Sequence, residues 1–427
     1  MMKSIIALEL RRLWRTRTAW MLMAASLAWL ALVPHLVRSD GTAAGARELL
    51  VKYSLGGVFA LCAVSLAASG AASLANERES KRLSLARVRP VSRISLALGR
   101  TVALTALGAA ALALAAAAVA ARTGVSRPCS HVLSPVMESA RAEAEKMYDI
   151  FMADPETPPE AKRAKKSIIM RLLTQRASDN YQSIGPGECA AWTFATPKDR
   201  RGLAVRLRFT NDFDVRDAVR GPLRFLSHSG SISNITQAVV IVPLCAPDAA
   251  GGRAGDAAPA ADAAQPKTAQ LTFRNDGVSS LMLRPRKDIN LLIAADSFGA
   301  NILRAYVQLV AALATLLAFA VFLGAGLGRP VAIFTCLAFL FAAFVSDDVL
   351  EQYPDSLESD GIDRVGLAIT RAVETVSHPV ASLHPISSLA ADECVESDQT
   401  LRVALLDGLL LPLVLALASG FVLSRRE

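Results

Sequence analysis

Residues 76–100 read NERESKRLSLARVRPVSRISLALGR, and this charged stretch decides how the rest of the chain is interpreted. It lies between two uncharged apolar runs, residues 55–75 and 101–121, each 21 residues long. A helix of that length crosses the roughly 30 Å hydrocarbon core of a bilayer. The stretch carries seven Lys or Arg residues against Glu77 and Glu79. Since a short loop this basic is expected on the cytoplasmic side, the pattern predicts a cytoplasmic loop between two spans.

The same stretch resembles the loop between the second and third spans in membrane subunits of type-2 ATP-binding-cassette exporters. That family has an acidic pair and leucines, then Pro-Val-Ser-Arg and a Gly-Arg or Gly-Lys pair. This chain has Pro-Val-Ser-Arg at residues 90–93 and Gly-Arg at residues 99–100, with Lys-Arg at residues 81–82 where the family usually has Gly-Thr. The resemblance implies that a separate cytoplasmic ATPase docks on this loop, with the contacts at Glu77, Glu79, Arg82, Leu83, Leu85, Pro90 and Arg93.

The composition indicates a polytopic membrane protein. Of the 427 residues 52% are hydrophobic and 20% are charged, and the apolar residues are concentrated in blocks. We therefore predict an α-helical polytopic fold with about six transmembrane helices and an inserted α+β extracytoplasmic domain. The predicted segments are a cytoplasmic interfacial helix (1–17), transmembrane helices 1–3 (18–121), the extracytoplasmic domain (122–300), helices 4 and 5 (301–345), an acidic extracytoplasmic loop (346–402), and helix 6 with a cytoplasmic tail (403–427).

The inserted domain divides by pattern into a helical and a strand-rich part. Residues 137–178 are typical of helices, and residues 186–295 contain short runs that alternate apolar and polar side chains. Short strands with polar turns favour a β-sandwich. The Ala-, Gly-, Asp- and Pro-rich residues 246–267 predict a disordered loop. The fifth apolar run, 331–345, has only 15 residues, so it is a short or tilted span or a re-entrant element.

Six cysteines do not form a disulfide-rich scaffold. Cys62 and Cys336 fall inside apolar runs, where packing explains them. The other four fall in segments placed outside the cytoplasm, where disulfides persist. They allow three pairings, or four free thiols, and the sequence does not choose among them. These four residues are Cys129, Cys189, Cys245 and Cys394.

Motifs for chemistry are absent from the sequence. There is no GxxxxGK[ST], HExxH or GxSxG pattern, and the five histidines are scattered. We therefore expect no enzyme activity, no cofactor, no metal site and no nucleic-acid partner. Asp407 is the one acid inside a predicted span; it lines a pathway or simply reaches water near the outer boundary. Pro412 in the same span is placed to kink it.

Two functions follow as hypotheses. The first is the permease subunit of an exporter, in the cytoplasmic (inner) membrane with both termini cytoplasmic. It would form the membrane pathway with a second, identical or related permease subunit, surrounded by membrane lipid. The outer domain would gate the exit, bind substrate or meet an envelope partner. The second is a membrane-anchored binding or sensor protein whose outer domain does the work. The transported molecule cannot be identified from the sequence.

Overall fold

The computed structural model describes residues 2–36, 43–79, 92–137, 140–153, 166–178, 181–197, 202–209, 219–235, 239–245, 268–352 and 384–425. The chain forms two compact units. One contains Met1–Cys129, Asp296–Pro354 and Ser359–Glu427, and the other contains Ser130–Ala295 with Asp355–Glu358. The first unit is helical and the second is rich in strands.

Among the described residues, the helical unit contains five helices that are long and apolar enough to cross a membrane. Their limits are Thr18–Leu36, Gly45–Glu77, Arg93–Thr123, Phe298–Gly326 and Ser397–Arg425. This agrees with the predicted multi-pass helical protein that carries a separate strand-rich domain. The helices of the unit are α1 (Met2–Arg15), α2 (Thr18–Leu36), α3 (Ala43–Glu79), α4 (Arg93–Thr123), α8 (Phe298–Gly326), α9 (Arg329–Gln352), α10 (His384–Ala390), α11 (Ser397–Leu405) and α12 (Leu411–Arg425), with α5–α7 in the other unit.

The predicted fifth span differs most from the observed element. Residues 331–345 belong to α9, whose apolar part, Arg329–Phe341, is too short to count among the five spanning helices. The helix nevertheless continues to Gln352 through Asp347 and Asp348, because a helix continues through charged residues where its backbone bonds are kept. The last span also begins earlier than predicted, since α11 starts at Ser397 and leads into α12.

Helix α8 lies at the centre of the helical unit. In its apolar window 78% of the residues are buried, against 28% for α2 and 22% for Ser397–Arg425. Close backbone approach makes this possible: a Cβ atom at Gly324 would lie 2.4 Å from the Ala71 carbonyl oxygen of α3. The peripheral helices leave apolar side chains exposed, including Trp20, Leu409 and Phe421.

Both described ends of the chain lie at the same end of the helical bundle. Ile5 of α1 packs against Gly99 near the start of α4, and Gly420 of α12 packs against Ile94. The start of α8 is at the opposite end, because the Phe298 N–H donates to the Arg127 carbonyl beyond the end of α4. After α8 the chain must therefore return before α11 begins. At 1.5 Å per residue the 24 residues of α9 cover about 36 Å, which is enough for that return.

The strand-rich unit contains two four-stranded sheets and one two-stranded sheet. The four-stranded orders are β1-β10-β4-β7 and β3-β8-β5-β6, and β2 pairs with β9. Register is set by alternation: Leu203, Val205 and Leu207 point into the core while Arg208 is exposed. Inner-face residues of both large sheets join one hydrophobic core. The strands are β1 (Pro128–Leu133), β2 (Gln182–Ile184), β3 (Cys189–Ala195), β4 (Leu203–Arg208), β5 (Val219–Phe225), β6 (His228–Ile235), β7 (Val239–Pro243), β8 (Thr268–Arg274), β9 (Leu281–Leu283) and β10 (Ile289–Ser297).

Three of these strands have no clear sequence signal. β1, β2 and β6 contain Pro, Gly, Ser or Gln in place of the β-branched and aromatic residues that favour strands. Pairing with apolar neighbours forms them in spite of that composition. The same unit holds helices α5 (Ala140–Ala153), α6 (Lys166–Ser178) and α7 (Pro285–Asp288). The predicted loop 246–267 lies outside the described residues.

Candidate functional site

The candidate site lies where α1 packs onto the end of α3 and the start of α4. These two helix ends border the charged loop, so the contact lies directly beside it. Gly99 permits the approach, since a Cβ atom there would lie 2.7 Å from Ile5 Cγ2. The Gly-Arg pair of the sequence motif therefore has two physical roles. The glycine admits α1, and the arginine binds it.

Arg100 forms the centre of an ion-paired group. Its side chain is 3% exposed. The guanidinium Nε donates to Glu9 Oε1 at 2.7 Å, and Nη2 donates to Glu77 Oε2. One buried cation of α4 thus holds one carboxylate from α1 and one from α3. We call Glu9, Arg12, Glu77 and Arg100 the junction.

Arg12 completes the junction. Its Nη1 donates to Glu77 Oε1 at 2.9 Å and lies 3.6 Å from Glu9 Oε1. Two cations and two carboxylates therefore alternate, and each carboxylate faces both guanidinium groups. Removal of one member of such a buried group costs far more than the net stability the intact group contributes, because a charge is left without its partner. The junction consequently fixes which helix ends meet.

The predicted docking residues divide between the junction and the loop. Glu77 lies in the junction, with both carboxylate oxygens bonded inside the chain. Glu79 ends α3, and Arg93, half-buried, begins α4. The side chain of Glu79 is outside the described part of the chain, as are residues Arg82, Leu83, Leu85 and Pro90. The resemblance pointed to Glu77 as a docking contact, whereas the structure gives it an internal role.

Glu9 and Arg12 were not predicted as site residues. Both belong to the basic amphipathic helix α1, where their pattern indicates only an interfacial helix. One signal was present: Glu9 is the sole acid among the described residues of α1. If such a carboxylate is buried, it requires a cationic partner. The sequence does not indicate which one.

A pocket of about 250 Å³ opens beside the junction within the helical unit. Arg12, Arg100 and Arg329 line it together with Glu9. Arg100 Nη1 is buried and has no hydrogen-bond partner.

Asp407 lies in a π-helical turn, Leu406–Leu410, between α11 and α12. The Leu411 N–H bonds to the Leu406 carbonyl, five residues back. By the same spacing the Asp407 carbonyl would pair with residue 412, but Pro412 has no N–H. Thr315 of α8 donates its hydroxyl to that carbonyl instead. Pro412 thus favours a local bulge, and the backbone carbonyl of Asp407 connects this turn to α8.

The opposite end of the bundle is closed by a disulfide between Cys129 and Cys394, with 5.4 Å between the Cα atoms. Buried Asn301 of α8 flanks it: its Nδ2 donates to the Glu393 carbonyl, and its Oδ1 accepts from the Val395 N–H, both at 2.7 Å. The structure therefore selects one bond from the pairings that the sequence left open. Cys189 and Cys245 are free and exposed.

Among the described residues, no group of three or more His, Cys, Asp or Glu side chains is arranged to hold a metal ion. No family description, curated protein or solved structure matches the chain. The junction joins an amphipathic helix to the two helix ends that border a charged loop.

Proposed function

We propose that this chain is the membrane permease subunit of a type-2 ATP-binding-cassette exporter. The single observation that carries the proposal is the junction, in which Arg100 binds Glu9 of α1 and Glu77 of α3. The loop that resembles the exporter motif is thus bordered by two helix ends that one buried cation ties to α1. A partner that displaces the loop would move all three helices together.

Charge and cysteine chemistry support the proposed orientation. The junction end carries the basic α1, the charged loop and Arg425, and such clusters favour the cytoplasmic side. The other end carries the Cys129–Cys394 disulfide, which persists in an oxidising compartment. With α9 as the sixth crossing, both termini lie in the cytoplasm. The protein would then be a six-span protein of the cytoplasmic (inner) membrane.

The proposed mechanism is a two-state rearrangement biased by nucleotide. The ATPase docks on the charged loop, through Glu79, Arg82, Leu83, Leu85, Pro90 and Arg93, and on α1. Closure of the ATPase pair shifts the loop, and the junction passes the displacement to α3 and α4. Because a partner can shift an equilibrium only by binding the two states differently, the docking contacts must differ between them.

The exposed apolar faces of α2 and α12 suit lipid and a second permease subunit. Large hydrophobic side chains are exposed on both helices, with Trp20 of α2 and Phe421 of α12 more than half exposed. The strand-rich unit, a β-sandwich on the outer side, would gate the exit, bind substrate or meet an envelope partner. In this role Asp407 lines the pathway at the π-helical turn.

The alternative function is a membrane-anchored binding or sensor protein. It is favoured by the strand-rich unit, which has a hydrophobic core of its own. In that case the helices serve as a scaffold, and the charged loop sets orientation only. Deletion of the strand-rich unit would then abolish function, while charge reversals in the loop would not.

Co-purification in mild detergent from the native membrane separates these functions. We expect the wild-type protein to bring down an ATPase subunit, and the Arg82→Glu, Arg87→Glu double variant to lose it. Arg402→Glu is the matched control, since Arg402 is an exposed residue of α11 at the other end of the bundle. Glu77→Lys is unsuitable because it would also break the junction.

Two results would count against the permease function. The first is a well-folded wild-type protein that brings down no ATPase. The second is an ATPase that stays bound to the loop variant as tightly as to the Arg402→Glu control. Either result would favour the binding or sensor function.

A further inference from the structure

We propose that one face of helix α1 binds the headgroups of anionic phospholipids. The inner face of α1 packs onto the bundle, through Ile5 against Gly99 and through buried Glu9 bonded to Arg100. The opposite side is exposed, and its residues recur every three to four positions, which places them on one side of a helix. We call this side the outer face, and its residues are Lys3, Ala7, Leu8, Arg11, Trp14 and Arg15.

The charged side chains of the outer face are all positive. Lys3, Arg11 and Arg15 are exposed there, and Arg17 is exposed in the turn that follows. The sole acid in the described part of α1 is Glu9, which lies on the inner face and is bonded to Arg100. No carboxylate of α1 therefore balances the cations of the outer face. Lysine and arginine clusters of this kind attract anionic lipid surfaces.

Chain continuity and packing place α1 where the apolar helices begin. Helix α1 ends at Arg15, and α2, one of the five apolar helices, begins at Thr18. The inner face meets α4 at Gly99 and Arg100, immediately before the uncharged run 101–121. A helix held at this level lies at the depth of the lipid headgroups.

Apolar side chains among the cations favour a lipid surface over an acidic protein. Leu8 is 62% exposed and Trp14 is 44% exposed. The Trp14 ring packs edge to face against that of Trp20, an exposed residue of α2, with ring centroids 4.9 Å apart. Tryptophans concentrate at the membrane–water interface. On a basic helix at this depth, Leu8 and Trp14 can insert between headgroups while the cations contact phosphates.

The first test measures which lipids the full-length protein retains. The protein is reconstituted in nanodiscs with equal parts of phosphatidylcholine and phosphatidylglycerol, and native mass spectrometry of the released protein gives the ratio of the two lipids. The outer-face variant Lys3→Gln, Arg11→Gln, Arg15→Gln removes three exposed cations of α1. The matched control, Arg208→Gln, Arg224→Gln, Arg402→Gln, removes three exposed cations elsewhere in the chain.

We expect the wild type and the control to retain phosphatidylglycerol in excess. The outer-face variant should lose at least about fivefold of that excess, because three cations at the lipid surface are removed. An unchanged excess in the outer-face variant would overturn the inference. An equal loss in the control would overturn it as well, since overall charge and not the outer face would then select the lipid.

A depth measurement tests the same surface without removing any charge. A nitroxide is attached at Ala7→Cys, an exposed position of the outer face, in a Cys189→Ser, Cys245→Ser background that lacks the two exposed free thiols. Electron paramagnetic resonance compares its collisions with oxygen, which concentrates in the bilayer, and with a water-soluble nickel complex. We expect the label to lie near the lipid phosphates. Access to the nickel complex as full as in bulk water would overturn the inference.

The inference does not depend on an ATPase partner, because the junction uses the inner face of α1. The outer-face variant is therefore also tested for ATPase co-purification. Loss of the phosphatidylglycerol excess with the ATPase retained would support lipid binding at this face. Loss of the ATPase with the lipid ratio unchanged would assign the outer face to the ATPase, which would overturn the inference and support the permease function.

Discussion

The two ends of the helical bundle hold their segments together by different chemistry. At the junction end, charged side chains join three helices, with Arg100 bonded to Glu9 and Glu77. At the other end, a covalent bond between Cys129 and Cys394 and backbone bonds to Asn301 do so. Ion pairs can exchange partners during a conformational change, whereas a disulfide cannot without redox chemistry. We therefore expect the junction end to rearrange during a conformational change and the disulfide end to stay fixed.

The largest expected effect comes from removal of the central cation of the junction. Arg100→Met leaves the buried carboxylate of Glu9 and the partly buried carboxylate of Glu77 without their main partner. We expect a loss of about 3–5 kcal/mol in the free energy of unfolding, since a buried charge is left uncompensated. Thermal unfolding of the detergent-purified protein, followed by tryptophan fluorescence, measures it.

The control for that variant neutralises the whole group. The quadruple variant Glu9→Gln, Arg12→Gln, Glu77→Gln, Arg100→Met removes every charge of the junction and should recover most of the lost stability. Wild-type stability of Arg100→Met alone would mean that the junction contributes nothing to holding α1, and the contrast between the two ends would not stand.

Removal of the disulfide tests the fixed end. Cys129→Ser, Cys394→Ser should lower the free energy of unfolding by about 2–4 kcal/mol, because the bond closes a loop of 265 residues. Thermal unfolding with and without a reducing agent measures the loss. The double variant should show no further loss on reduction. Cys189→Ser, Cys245→Ser is the matched control, since both thiols are free and exposed.

A thiol count checks the pairing directly. Alkylation of the denatured, unreduced protein should modify four cysteines, namely Cys62, Cys189, Cys245 and Cys336. After reduction all six should react. Modification of all six cysteines before reduction would show that the Cys129–Cys394 disulfide does not form.

A row of polar contacts joins α8 to the last part of the chain, beginning at the disulfide end. Asn301, Gln308 and Thr315 of α8 lie seven residues apart, and they bond to Glu393, Thr400 and Asp407, also seven apart. Such spacing keeps one face of each helix towards the other. The contacts thus run from the disulfide end towards the middle of the bundle.

A double-mutant cycle measures the innermost of these contacts. Thr315→Val should cost about 0.6 kcal/mol and at most about 1.7, the range for hydrogen bonds between membrane helices. In a Pro412→Ala background the restored N–H lets α12 satisfy its own carbonyls, so Thr315→Val should cost almost nothing. Equal costs in both backgrounds would mean that the stability contributed by the Thr315 hydrogen bond does not depend on Pro412.

The helical spans and most of the strands were predictable because hydrophobic runs and alternation are local signals. Residues 101–121 lie within α4, and residues 203–209 cover β4. The ends of helices were less predictable: α3 extends to 37 residues, well past the apolar run 55–75. A helix continues through polar residues where neighbouring helices support it, and the sequence does not show those neighbours.

The junction could not be predicted because its members are far apart in the chain. Glu9 and Arg100 are separated by 91 residues, and local pattern gives no reason to pair them. The motif did identify Glu77, but as a contact for a partner. The disulfide illustrates the same limit: composition supplied the four candidate cysteines, and only the fold brought Cys129 to Cys394.

The smallest expected effect concerns Asp392, which lies beside the disulfide with a positive φ of 56°. Burial raises the pKa of Asp392, although Arg127 and Arg47 oppose the shift and Glu48 adds to it. The folded protein thus binds the proton more tightly than the unfolded chain does. The stability due to Asp392 is therefore present below its ordinary pKa and lost as the pH rises through the raised value.

Asp392→Asn removes that loss, and asparagine tolerates a positive φ well. We expect a gain of less than about 0.5 kcal/mol at pH 7 that shrinks towards pH 3, measured as melting temperature against pH. A gain that stays constant with pH would assign the effect to the backbone preference of asparagine. In that case Asp392 would not make the stability of the disulfide end depend on pH.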